Sequence, residues 1–124
     1  MVKLVFLLRR RPELSRTEFQ RYWRDTHGPL VRSHAGVLRI RRYVQTHTLD
    51  TPYTDALRAT RGTGEPYDGL AELWWESLDE LAAATATPAG RAAGDALLTD
   101  ERRFIDHATS SMFLCEEHPL VDGS

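Results

Sequence analysis

Cysteine and lysine are almost missing from this chain, with Cys115 and Lys3 the sole examples. A lone thiol excludes an internal disulfide and any cysteine-based zinc cluster. With one lysine, the positive charge is nearly all arginine, a trait shared by nucleic-acid binders. The balance of 16 Lys+Arg against 18 Asp+Glu, a formal charge of −2, removes the surplus that phosphate binding needs. No nucleic-acid partner is expected, and the arginine bias reflects base composition. Long apolar runs are also missing; none approaches the ~20 residues that span a bilayer. The short N-terminal run precedes Arg9, Arg10 and Arg11, the reverse of a secretory signal. A cytoplasmic chain without a membrane partner is expected. A phosphate loop is missing too, because Gly62-Thr63-Gly64 leads into Glu65-Pro66 and not into a lysine-bearing helix. What the 124 residues do hold is apolar mass: 41% are hydrophobic, with three Trp, four Tyr and four Phe. That excludes disorder and suits one domain over residues 1–124.

The pattern along the chain alternates between two periods. Val2 to Arg9 reads as a strand with both faces apolar in the middle, ended by Pro12. Ser15-Arg16-Thr17-Glu18 is a capping box that opens a helix with Phe19, Tyr22 and Trp23 on its inner stripe. Gly28-Pro29 is expected to interrupt that helix, since proline has no N–H, with a short segment following to about Gly36. Arg39 to His47 alternates as a second strand, with Arg39, Arg41, Tyr43, Gln45 and His47 on a polar face. Residues 48–68, rich in Thr, Gly, Pro and Asp, form a lid or variable loop with a short helix near Tyr53–Thr60. Gly69–Trp75 is a third strand. Ser77 to Glu80 caps another helix, Thr87-Pro88 restarts it to about Leu98, and a further turn follows to Phe104. His107 to Glu117 is the last strand. The order β-α-β-β-α-β is the ferredoxin-like arrangement of an α+β fold, a four-stranded antiparallel sheet with helices on one face. Val5, Leu7, Leu73, Trp75 and Phe113 exceed what helices on one face can cover. A second copy packed sheet to sheet, a dimeric α/β barrel, would cover them.

Against this background Phe19-x-x-Tyr22-Trp23-x-x-x-His27-Gly28-Pro29-Leu30 resembles the hallmark of the EthD family of dimeric α/β-barrel proteins. Ala71-Glu72-Leu73-Trp74-Trp75-Glu76-Ser77-Leu78 is similar to its third strand and helix start. Asp100-Glu101-x-x-Phe104-Ile105-Asp106 is similar to its lead into the last strand. The likeness spans nearly the whole chain outside residues 48–68. It implies a homodimer with no metal and no organic cofactor. It also implies relatives that isomerise muconolactones or tailor polyketides by dehydration, decarboxylation or cyclisation.

His27 is the first candidate for chemistry. It follows Trp23 by four positions, and the expected break at Gly28-Pro29 would leave open carbonyls beside it. Such an imidazole can move a proton next to a carbonyl; the competing role is merely to cap those carbonyls. The resemblance adds that the matching histidine of methylmuconolactone-isomerase-like relatives lines the pocket. Tyr43 would hydrogen-bond a substrate oxygen or developing enolate. Arg39 and Arg41 would bind a substrate carboxylate. Tyr22, Trp23, Trp74, Trp75 and Phe113 would wall a flat pocket, and Asp106 would assist His27. His34, His47, His107 and His118 have no metal-ligand spacing, so no metal site is expected.

These readings converge on a cofactor-free enzyme moving protons on a small cyclic, aromatic or polyketide-like substrate. The alternatives are a cofactor-free aromatic monooxygenase and a non-catalytic dimeric carrier of small ligands.

Overall fold

The computed structural model describes residues 1–123. Four strands, β1 (Val2–Leu8), β2 (Arg42–His47), β3 (Gly69–Trp75) and β4 (Ser111–Cys115), form one antiparallel sheet in the order β2–β3–β1–β4. The helices are α1 (Arg16–Tyr22), α2 (Gly28–His34), α3 (Pro52–Arg61), α4 (Leu78–Ala86) and α5 (Pro88–Glu101). The element order matches the expected β-α-β-β-α-β, with α3 inside the β2–β3 connection. The fold is α+β and ferredoxin-like.

Local chemistry explains most boundaries. The Ser15–Glu18 capping box is formed in both directions. Thr51, Ser77 and Thr87 each accept a backbone N–H at the start of α3, α4 and α5. Gly62 ends α3 in the left-handed region at φ 65°. Three expectations need correction. β2 starts at Arg42, because Arg39 turns the chain at φ 57° and leaves the ladder. β4 starts at Ser111, after a short 3-10 turn at His107–Thr109. Above all, Gly28-Pro29 does not interrupt the first helix. The chain passes from α1 to α2 through one π turn, Trp23–His27, in which the Gly28 N–H reaches back to the Trp23 carbonyl. The wider turn keeps the helical backbone continuous and leaves Pro29 in the first turn of α2, where a missing N–H is tolerated.

Side chains alternate across the sheet, so register decides which residues meet the helices. Leu4, Leu73 and Tyr43 form one row, and Phe6, Ala71, Gln45 and Met112 the next. A third row holds Leu8, Gly69 and His47. Along β3 the covered side chains therefore shrink from Trp75 through Leu73 and Ala71 to Gly69. The Trp23 ring occupies the vacated space: a Cβ on Gly69 would lie 2.5 Å from Trp23 Cζ3. Trp23, Phe19, Phe104 and Leu8 are the largest fully buried side chains. Leu73 and Trp75 thus face the helices, contrary to their place among the surplus groups. On the uncovered face stand Val5, Leu7, Leu70, Val44 and Phe113 beside a Lys3–Glu72 ion pair at 2.7 Å.

One buried charge pins the loop before β3. Asp68 is 3% exposed; it accepts from the Arg10 N–H at 2.8 Å and from the Arg10 and Arg16 guanidiniums at 2.5 and 3.0 Å. Burial pushes its carboxyl upward, but the Arg10 N–H and both guanidiniums outweigh it and hold it below the ordinary aspartate value. A depressed carboxylate stabilises the fold above its unfolded pKa, and that stabilisation is lost as pH falls through the folded value. Asp68→Asn should cost about 3 kcal/mol at neutral pH, leaving two half-buried arginines without their anion. Urea unfolding should show this gap narrowing below about pH 4.

Candidate active site

Between the covered sheet face and the helices lies a cavity of about 240 Å³. Leu4, Phe6, Leu73 and Trp75 form its floor, Val31 and Leu97 its walls, and Thr85, Gly94 and Met112 its exposed rim. His27, Tyr43, Thr85 and Glu101 are the polar side chains of the lining, and no lysine or arginine belongs to it. Placed charges in an apolar surround interact strongly, so each polar group matters.

His27 enters from the π turn and is 5% exposed. Its Nδ1 lies 2.7 Å from Asp100 Oδ2 on α5. The other oxygen, Oδ1, accepts the Tyr22 hydroxyl at 2.5 Å. Burial, then the bond to Asp100, pushes the Tyr22 phenol above its usual value, so it stays a donor. The Phe104 ring packs against the imidazole at 5.0 Å between centroids. Asp100 therefore fixes both ring orientation and tautomer: the neutral imidazole keeps its proton on Nδ1 and a lone pair on Nε2. Nε2 makes no hydrogen bond to protein. Because no buried side-chain nitrogen or oxygen is unpartnered among the described residues, that atom must meet open space. The His27 side chain bonds to Asp100 and not to a helix carbonyl.

Tyr43 projects from β2 toward the same space. Gln45 Nε2 donates to its hydroxyl at 2.8 Å and to the Trp23 carbonyl at 2.8 Å, while His47 Nε2 donates to Gln45 Oε1 at 2.8 Å. Tyr43 accepts in this chain and keeps its own proton to give. Burial raises its phenol above the ordinary value, so it remains protonated at neutral pH. His47 is stacked on Trp23 at 4.3 Å, and burial lowers its pKa, leaving it a neutral link.

Of the other candidates, Trp23 and Trp75 line the cavity, with the Trp75 Nε1 fixed to the Leu38 carbonyl at 2.7 Å. Tyr22 stands behind His27, outside the lining. Trp74 and Phe113 are on the uncovered sheet face, since the strand phase sends them away from the helices. Trp74 is held there by Glu117 at 2.6 Å and by Arg42 above its ring at 4.8 Å. Arg39 and Arg41 are exposed and paired with Glu80 and Glu76, so neither reaches the cavity. Asp106 precedes the 3-10 turn, where its carbonyl accepts from Ser110, and is also outside; Asp100 does the orienting expected of it. The signal was available in the Asp100-Glu101 pair that preceded Phe104. Residues 48–68 contribute nothing to the lining. Among the described residues, no three His, Cys, Asp or Glu side chains converge as metal ligands.

A ferredoxin-like sheet carrying a carboxylate-held histidine in an apolar cavity defines a class of small α+β barrel-type proteins. The EthD domain model matches residues 11–108, and the chain belongs to the EthD family. An EthD family protein from Bacillus halodurans shares 23% identity over 95% of this chain and 99% of its own, with a TM-score of 0.62. A dimeric protein of unknown function with a ferredoxin-like fold, from Bacteroides fragilis, shares 14% over 94% and 95%, at 0.58. SnoaB, a cofactor-independent oxygenase from Streptomyces nogalater, shares 14% over 98% and 97%, at 0.53. No curated protein matches the chain.

The tautomer can be read directly by nitrogen-15 spectroscopy of the imidazole. Wild-type protein should show His27 protonated on Nδ1 when neutral. Asp100→Asn should move the proton to Nε2, because an amide donates where a carboxylate accepts. Tyr22→Phe should leave the wild-type tautomer in place.

Proposed function

We propose that this protein is an acid–base enzyme acting on a neutral, flat cyclic ketone or phenol of the polyketide kind. The observation that carries this reading is the open His27 Nε2, fixed by Asp100 and facing an apolar cavity. His27 takes a proton from carbon beside a carbonyl, and Tyr43 donates to the oxygen on which charge develops. With no cation in the lining, an ionised carboxylate would enter unpaired at high cost. That disfavours carboxylate-bearing lactones and leaves isomerisation, dehydration or cyclisation of neutral rings. A volume of about 240 Å³ suits one or two fused rings.

The neutral ketone 2-tetralone tests this chemistry without knowledge of the natural substrate. In heavy water the protein should speed deuterium entry at its α-carbon. His27→Gln should reduce the catalysed rate about 10²–10⁴-fold, and Tyr43→Phe should cost less. Unchanged exchange in His27→Gln would refute the assignment.

A second reading, a cofactor-independent oxygenase, draws on the likeness to SnoaB and on the same geometry. A base in an apolar pocket also makes a phenolate, which is electron-rich enough to reduce dioxygen. Turnover of a phenolic substrate in air but not under argon would favour it.

The reading includes a second copy of the chain on the uncovered sheet face. On that face Phe113 of β4 is 47% exposed, together with Val5, Leu7, Val44 and Leu70. Contiguous apolar surface of that kind is a liability in a monomer. Sedimentation equilibrium should give twice the 14.1 kDa chain mass, and Phe113→Asp should shift it toward one. A wild-type monomer at micromolar concentration would contradict the pairing.

A further inference from the structure

We propose that Glu101 is the second proton-carrying group of the cavity and that His107 connects it to solvent. Glu101 ends α5, one position after the aspartate that holds His27, and its side chain lines the cavity. Oε1 lies 3.1 Å from His107 Nε2. Oε2 has no partner in the protein and is not a buried orphan, so it meets open space. His107 is 36% exposed at its side chain and lines a separate surface groove with Arg11, Arg102 and Asp106. Its ring packs on Phe6, a residue of the cavity floor, at 6.0 Å between centroids. The carboxyl thus has one oxygen free of protein partners and one held by an imidazole that water can reach, on a side chain that lines the cavity.

This inference rests on the acid–base reading and completes its proton balance. When His27 takes a proton from carbon, Glu101, once protonated by His107, gives that proton to the substrate oxygen, and the ketone becomes its enol. Tyr43 holds the other lone pair of that oxygen. The enzyme is then left with His27 protonated and Glu101 ionised. To reset, His27 loses its proton to water, His107 passes one from Nε2 to Glu101 Oε1 while drawing a replacement from the groove, and the carboxyl turns to carry that proton back to the cavity. No net proton is gained or lost, and no electrons move. The groups facing this path are His27, Asp100 and Tyr43 on the cavity side and Arg11, Arg102 and Asp106 on the groove side. Burial and, more weakly, the Glu101 charge raise the Tyr43 phenol, which is consistent with carboxylate and phenol sharing one space.

The test uses 2-tetralone in heavy water, with the dimeric or monomeric protein as isolated. Glu101→Gln should slow α-deuteration about 10²-fold. His107→Ala should slow it about tenfold, and added imidazole should restore His107→Ala but not Glu101→Gln. His107→Gln keeps a donor to Glu101 without a transferable proton, so it should melt like wild type yet stay slow. Wild-type rates in His107→Ala and His107→Gln, or a loss that imidazole fails to restore, would overturn the relay. If wild-type protein does not deuterate the probe at all, the acid–base reading itself falls. If deuteration depends on His27 and ignores Glu101, only the relay falls.

Discussion

The bond between His27 and Asp100 ties the first helical segment to α5, and the site depends on it. One partner comes from a π turn and the other from the last turn of a helix that starts far along the chain. Joining them sets the spacing of the two helical segments above the sheet, and the cavity lies between those helices and the sheet. The same bond decides which imidazole nitrogen is free. A buried histidine held by one nitrogen has a single direction in which it can act, and here that direction is the apolar space.

The remaining architecture protects that arrangement. Gly69 admits the Trp23 ring, Trp23 stacks on His47, and the chain from His47 through Gln45 to Tyr43 sets the phenol. The Trp23 carbonyl takes both the Gly28 N–H of the π turn and the Gln45 amide, so helix and strand share one acceptor. A Cβ on Gly28 would come within 3.0 Å of Gln45 Nε2. Gly28 and Gly69 therefore serve the site through close approach, one at the helix and one at the sheet. Apolar walls complete the effect, because a lone pair and a phenol act more strongly where water is scarce.

Much of this was legible in the chain. The strands β1 and β3, the helix starts at Ser15 and Ser77 and the restart at Thr87-Pro88 carry their physics locally, and each formed where it was read. The inward stripe of Phe19, Trp23 and His27 also pointed to the site. What local pattern could not supply was phase across distance. The helix was expected to break at Gly28-Pro29, whereas a π turn absorbs the proline, since helical continuity costs less than exposing a buried stripe. Arg39 and Arg41 shared the alternation of Tyr43, but the left-handed Arg39 takes them out of the strand. Trp74 and Phe113 were assigned to the pocket by aromatic character alone, and strand register sends them to the opposite face. Asp100 was assigned to a separate turn after Leu98, and only the unbroken α5 brings it to His27.

The central claim is that the cavity presents His27 Nε2 and the Tyr43 hydroxyl to one substrate oxygen or its neighbouring carbon. A crystal structure of the complex with 2-naphthol, a flat neutral ring with one hydroxyl, tests it most directly. The account places the naphthalene on Leu4, Leu73 and Trp75, with its hydroxyl within hydrogen-bond reach of His27 Nε2 or Tyr43. A ligand bound outside this cavity, or inside it with the hydroxyl turned away from both groups, would contradict the account.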